Sequence, residues 1–227
     1  RDLTPGDFDA PVFQASGAGD FAFSPDGREL CYASNHDADA ARSTNADLWA
    51  IPLTGGEARN LTAANRAFDG TPRYSPDGRW IAFRMQTTPD YESDRVRLAL
   101  YERASGAVRV LTDAFDYWVN DFQWTSDSKR IVFTADWKGR VPLFTVDLQG
   151  RVTEKPLADL GTVDAFDLAP GGAWVAVARR GIGSPWEIFR VKLGGEAQRL
   201  SFENEAVEKE VDIRPAESIE VAGADGR

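Results

Sequence analysis

Glu92, Asp94 and Arg95 place two carboxylates and a guanidinium within four residues, inside a polar stretch, 87–96, that runs between two strand-like segments. Carboxylates grouped this way accept hydrogen bonds from cations, and a free peptide amine needs such acceptors. Each charge-assisted hydrogen bond contributes about 1.5–3 kcal/mol, enough to decide specificity. The same residues equally suit a surface loop closed by its own salt bridges, and their chemistry alone leaves both uses open. A second group, Asp116-Tyr117-Trp118-Val119-Asn120-Asp121, is acidic and aromatic. Tyr117 or Trp118 can wall a side-chain pocket there, and Trp118 can as well pack over the end of a sheet.

Other chemistry is poorly supplied. Nucleophilic hydrolysis needs a Ser, a His base and an acid held together, and α/β-hydrolases display the Ser in Gly-x-Ser-x-Gly. That pentapeptide is absent; Gly181-Ile182-Gly183-Ser184-Pro185 comes nearest, with Pro185 at the wrong position. The sole histidine, His36, falls in a loop rich in Asp, Ala and Ser, where an exposed side chain is expected. Cys31 is the sole cysteine, which rules out an internal disulfide and a Cys/His zinc cluster. No metal and no cofactor is expected. A formal net charge of −10 argues against a nucleic-acid partner, because phosphate binding relies on basic residues. Apolar runs such as Trp174-Val175-Ala176-Val177-Ala178 are strand-sized, far short of the ~20 residues of a membrane helix, so no membrane association is expected. No targeting signal is visible from Arg1 onward.

The elements that must position these residues announce themselves as a repeat. Phe23-Ser24-Pro25-Asp26-Gly27-Arg28 is echoed by Tyr74-Ser75-Pro76-Asp77-Gly78-Arg79 and more loosely by Trp124-Thr125-Ser126-Asp127-Ser128-Lys129 and Leu168-Ala169-Pro170-Gly171-Gly172-Ala173, at spacings of 51, 50 and 44 residues. Periods of this size, made of short strands, are the signature of propeller blades. Ser-Pro-Asp-Gly suits a tight hairpin turn, with proline presetting one φ and glycine supplying a positive one. The strands after the turns, Leu30-Cys31-Tyr32, Ile81-Ala82-Phe83, Ile131-Val132-Phe133 and Val175-Ala176-Val177, alternate large and small residues, as a sheet packed between other sheets requires. Trp49, Trp80, Trp124 and Trp174 fall at strand positions and are expected to pack between blades.

The expectation is an all-β chain of four four-stranded blades, an arc of a larger ring of seven or eight. The units run 1–16 (end of a preceding blade, from Leu3-Thr4), 17–62, 63–112, 113–157 and 158–201, with an exit strand and linker at 202–227. The stretch 203–210 is expected to be a solvated outer strand or linker. In a four-stranded meander, the loops between second and third strands and the blade connectors share one face, opposite the Ser-Pro-Asp-Gly turns. Functional contacts are therefore expected from 35–46, 68–71, 87–96, 115–121, 136–141 and 179–186.

The run Ser75-Pro76-Asp77-Gly78-Arg79-Trp80-Ile81-Ala82-Phe83, the segment Asp47-Leu48-Trp49 with Gly55-Gly56-Glu57 and Asn60-Leu61-Thr62, and the ending Pro215-Ala216-Glu217-Ser218-Ile219-Glu220 with Gly223-Ala224-Asp225-Gly226 resemble the propellers of bacterial dipeptidyl peptidases and acylaminoacyl peptidases, of the prolyl oligopeptidase superfamily. Residues 60–70 and 92–95 are most similar to the dipeptidyl peptidase 5 branch. The resemblance implies a non-catalytic propeller that gates and selects peptide substrates for its own α/β-hydrolase domain, absent here. It implies that Glu92 binds the substrate's N-terminal ammonium, with Asp94 assisting and Arg95 orienting the carboxylates. An acylaminoacyl peptidase propeller or a stand-alone protein-binding scaffold are the alternatives. The resemblance favours a periplasmic or secreted location over a cytoplasmic one, and a homodimer is compatible with it.

Overall fold

The computed structural model describes residues 2–9, 19–158, 160–214, 216–219 and 221–223. Four antiparallel sheets follow one another along the chain. The first orders β1 (Phe21–Phe23), β2 (Glu29–Ser34), β3 (Asp47–Pro52) and β4 (Arg59–Asn60) as a meander. The second repeats this with β5 (Asp69–Tyr74), β6 (Trp80–Met85), β7 (Arg97–Glu102) and β8 (Val108–Val110). The third contains β9 (Val119–Trp124), β10 (Arg130–Ala135) and β11 (Leu143–Asp147), and the fourth contains β12 (Thr162–Leu168), β13 (Trp174–Gly181), β14 (Ser184–Lys192) and β15 (Ala197–Arg199).

In the third sheet the outermost strand is reduced to a bridge between Val146 and Val152. Its path continues through Thr153 N–H to Thr145 O (3.0 Å) and Leu157 N–H to Leu143 O (2.8 Å). Pro156 supplies no N–H to a ladder here, which limits regular pairing. Leu61, Leu111 and Leu200 make the corresponding bond to Leu48, Leu98 and Ile188 in the other sheets, so all four outer edges close in the same way.

The hairpin turns explain why loose copies of the motif still fold. The Gly27, Gly78, Ser128 and Gly172 amides each donate to the carbonyl three residues earlier, and all four have positive φ. Ser128 adopts φ 58° without being glycine, and its hydroxyl accepts the Asp77 amide of the preceding turn at 3.0 Å. A backbone strain is thereby tied to an inter-blade bond.

Neighbouring sheets are joined by one recurring backbone bond. Asp69 N–H reaches Ala46 O (2.8 Å), Val119 N–H reaches Val96 O (3.0 Å) and Val163 N–H reaches Val141 O (2.9 Å). Between the sheets lie three apolar clusters, centred on Phe83 and Leu48, on Phe122, Phe133 and Phe144, and on Val175, Val177 and Val191. Full burial of each such side chain stabilises by about 1.5–3 kcal/mol.

Trp124 packs into the second cluster and donates its indole N–H to Arg73 O at 2.9 Å, across the blade boundary. Trp80 is partly buried against the same cluster. Trp49 and Trp174 instead meet His36 and Arg190. Residues 203–210 differ from the expected strand or linker: Glu205–Glu210 form a short helix, α1. Its Glu205–Lys209 pair (2.9 Å) and the Glu208–Arg199 bridge (3.2 Å) favour a helical turn laid against β15. Residues 2–9 carry Leu3 and Thr4 without a strand. Residues 1, 10–18, 159, 215, 220 and 224–227, which include Pro215, Glu220 and Ala224-Asp225-Gly226 of the expected exit segment, lie outside the described residues.

Candidate functional site

The long loop between β6 and β7 is built around a buried carboxylate. Asp94 accepts the amides of Thr87 (2.6 Å) and Thr88 (3.0 Å), the Thr87 hydroxyl (3.2 Å) and the Arg97 guanidinium (3.4 Å). Burial raises its pKa, and these donors outweigh that, holding the carboxyl below its usual range. Gln86 Nε2 ties the other side of the loop by donating to Glu92 O (3.0 Å) and Asp94 O (2.6 Å). Asp94 therefore shapes the loop from within.

Arg95 does not orient the two carboxylates. Its guanidinium donates to Phe115 O (2.7 Å), Asp113 O (2.9 Å) and Asp116 Oδ1 (3.4 Å), fastening this loop to the connector between the second and third sheets. The two regions singled out by sequence, 87–96 and 116–121, thus meet on one face. The Glu92 carboxylate stands exposed on that face, with no hydrogen bond or ion pair to a described residue. Tyr117 is turned toward the core against Phe115, 5.3 Å between ring centroids. Trp118 is half-buried, and its carbonyl accepts the Asp136 amide at 3.2 Å.

Adjoining loops complete the face. The Asp90 amide donates to Thr44 Oγ1 at 2.9 Å, and Arg66 lies 3.6 Å from Asp37, so 35–46, 62–69 and 87–96 are cross-braced. His36 is not an exposed loop histidine. It is stacked between Phe8 and Trp49, at 3.9 and 4.0 Å, and burial lowers its pKa. The signal was missed because Phe8 precedes it by 28 residues. Ser184 opens β14 and accepts from Arg179 Nη1 at 3.0 Å.

Two further polar groups escaped sequence reasoning. Asp69, at the start of β5, is fully buried with Asn65 Nδ2 at 2.8 Å, and burial pushes its pKa up to about 8. The inner strands also line a cavity of about 500 Å³ with Asp20, Arg73, Arg84, Asp121, Asp164 and Arg180. Each residue looks like an ordinary strand charge until the sheets are assembled side by side.

Four radially stacked antiparallel sheets with polar inner edges define a β-propeller arc. Solved structures agree on the fold: an acylaminoacyl peptidase from Pyrococcus horikoshii matches with a TM-score of 0.67 at 18% identity, over 85% of this chain and 28% of that one. The β-propeller domain of the trilobed protease from Pyrococcus furiosus matches with a TM-score of 0.62 at 18% identity, over 82% and 52%. By sequence, the chain is 32% identical over 212 residues to dipeptidyl-peptidase 5 of Porphyromonas gingivalis, covering 91% of this chain and 31% of the relative. Dipeptidyl-peptidase 5 of Porphyromonas endodontalis gives 33% over 223 residues, covering 94% and 31%. The chain has a β-propeller fold and is related in sequence to the dipeptidyl-peptidase 5 proteins. It spans about a third of the length of these relatives. No family model matches it.

Proposed function

We propose that the chain gates access to a serine exopeptidase and recognises the substrate's N-terminus, as part of a polypeptide that releases dipeptides. The observation that carries this reading is the unpaired, exposed carboxylate of Glu92 on a loop that is otherwise immobilised. A flexible loop would lose ordering entropy on binding an ammonium, whereas Asp94 and Arg95 have already fixed this one. Glu92 is the ammonium acceptor, and Asp94 and Arg95 are positioning residues. Tyr117 supports the connector from beneath, leaving Trp118 as the aromatic residue to wall a substrate side chain.

The test is Glu92→Gln in the full-length protein with a dipeptidyl substrate. KM is expected to rise about tenfold, the worth of one charge-assisted hydrogen bond, with kcat little changed. Unchanged kcat and KM would remove Glu92 from the site. The likeness to an acylaminoacyl peptidase favours a second reading, in which blocked N-termini are taken and Glu92 has no ammonium to bind. Comparing free and N-acetylated dipeptidyl substrates separates the two.

A further inference from the structure

Arg84 is the unusual charge of the inner wall. It lies on β6, where its Nε is shut off from solvent and has no hydrogen-bond partner, and its guanidinium makes no ion pair with a described residue. The other two arginines of the cavity are engaged: Arg73 with Asp121 at 2.8 Å, and Arg180 with Asp164 at 3.1 Å. Asp20, the remaining carboxylate, accepts the Thr71 amide at 2.7 Å and hydroxyl at 3.3 Å. Burial lowers the Arg84 pKa, and Asp20 and Asp121 act against that from beyond contact distance. A guanidinium carries five donors, and leaving them unmatched in a largely buried place costs free energy unless a ligand satisfies them.

The backbone around Arg84 is shaped for the cavity. The innermost strands of three successive sheets each lose register at this level: β5 between Gly70 and Arg73, β9 opposite Phe133 and Ala135, and β12 between Val163 and Ala165. The residues inserted there, Thr71, Asn120, Asp121 and Asp164, all line the cavity. Thr71, a β-branched residue, is held at φ 53°, and Asp20 holds it there. Bulges re-aim side chains, and strained backbone of this kind gathers at binding sites.

We propose that this inner-wall cavity binds the C-terminal carboxylate of a peptide, paired with Arg84. A planar monoanion matches a guanidinium in a bidentate fashion. The surrounding Asp121 and Asp164 disfavour a dianion such as phosphate, and with Asn120 they offer acceptors to peptide N–H groups. The lining of this cavity does not include Glu92, and the proposal rests on the reading of the protein as a peptide-handling propeller.

The test needs no turnover. Acetyl-tetraalanine and its C-terminal amide are titrated calorimetrically into the full-length protein, after treatment with a serine-directed fluorophosphonate so that hydrolysis does not intervene. The free acid is expected to bind about tenfold more tightly than the amide. That preference should vanish in Arg84→Met and persist in Arg180→Met, whose guanidinium is already paired. Equal affinities for acid and amide in the wild type overturn the proposal, and this arm holds even where variants fail to fold. So does a preference that survives Arg84→Met, or an acidic peptide amide binding as tightly as the free acid. Unchanged kcat and KM in Glu92→Gln would remove the N-terminal reading alone and leave this result standing.

Discussion

The second and fourth sheets share a strand plan and differ in what presses on them. In the second, β6 and β7 are enclosed on both faces: Ile81, Ala82, Phe83, Leu98, Ala99 and Leu100 are all fully buried. In the fourth, β14 alternates strictly, with Glu187, Phe189 and Val191 covered while Trp186 and Ile188 are 61% and 43% exposed. The loops differ to match. The stretch 86–96, braced by Asp94 and Arg95, joins β6 to β7, whereas β13 passes into β14 through a tight hairpin topped by exposed Ile182. The second sheet is flanked by a sheet on either side, and its long loop, braced from within, holds the exposed Glu92 carboxylate in place.

The largest test of this contrast is truncation. Phe83→Ala should cost about 3–5 kcal/mol, while Ile188→Ala should stay within about 0.5 kcal/mol; chemical denaturation of both variants measures it. Equal costs would show that the fourth sheet is as enclosed as the second. Next comes pH. Asp69, on the second sheet, has a folded-state pKa of about 8 against an ordinary 3.8, so the folded chain keeps a proton that the unfolded chain releases. Its contribution to stability is full below about pH 4 and is lost as the pH rises through about 8. The melting temperature should fall by several degrees between pH 5 and 9, and Asp69→Asn should flatten that slope.

The fourth sheet titrates in the opposite sense. Ser201 leads the donors that hold Glu187 down to about 2 from 4.5, with the Asn204 amide and Arg199 assisting. That contribution is present above about pH 4.5 and is lost as the pH falls through about 2. Acid titration of Glu187→Gln against the wild type checks it. The smallest expected effect is in the loop itself. Asp94→Ala should destabilise by about 1–3 kcal/mol, by leaving the Thr87 and Thr88 amides unpaired, and should loosen the Glu92 site as a rise in KM.

The repeat was legible because its turns are local: Ser24-Pro25-Asp26-Gly27 and Ser75-Pro76-Asp77-Gly78 dictate their hairpins through contacts within five residues. The grouping of 87–96 with 116–121 followed from the meander alone. The partners did not. Arg95 looks in sequence like the companion of Glu92 and Asp94, yet it points to a connector about 20 residues on. The companion of Asp94 is Arg97, which opens β7 and reads in sequence as an ordinary strand-end charge. Arg84, Asp121 and Asp164 come together from three sheets, and a register shift in each aims them inward. Such shifts leave no mark in a strand pattern read two residues at a time. The short helix α1 escaped because its outline in sequence, alternating charge and apolar residues, fits a strand equally well.

The three N–H to carbonyl bonds that join each sheet to the next, at Asp69, Val119 and Val163, involve main chain on both sides. The bond that indexes one unit on its neighbour is the same whatever side chain stands there, polar at Asp69 and apolar at Val119 and Val163. Evolution can therefore lengthen, trim or replace a single unit as a cassette, and the surrounding loops keep their mutual spacing. That tolerance lets successive motif copies stand 51, 50 and 44 residues apart and still present one continuous face.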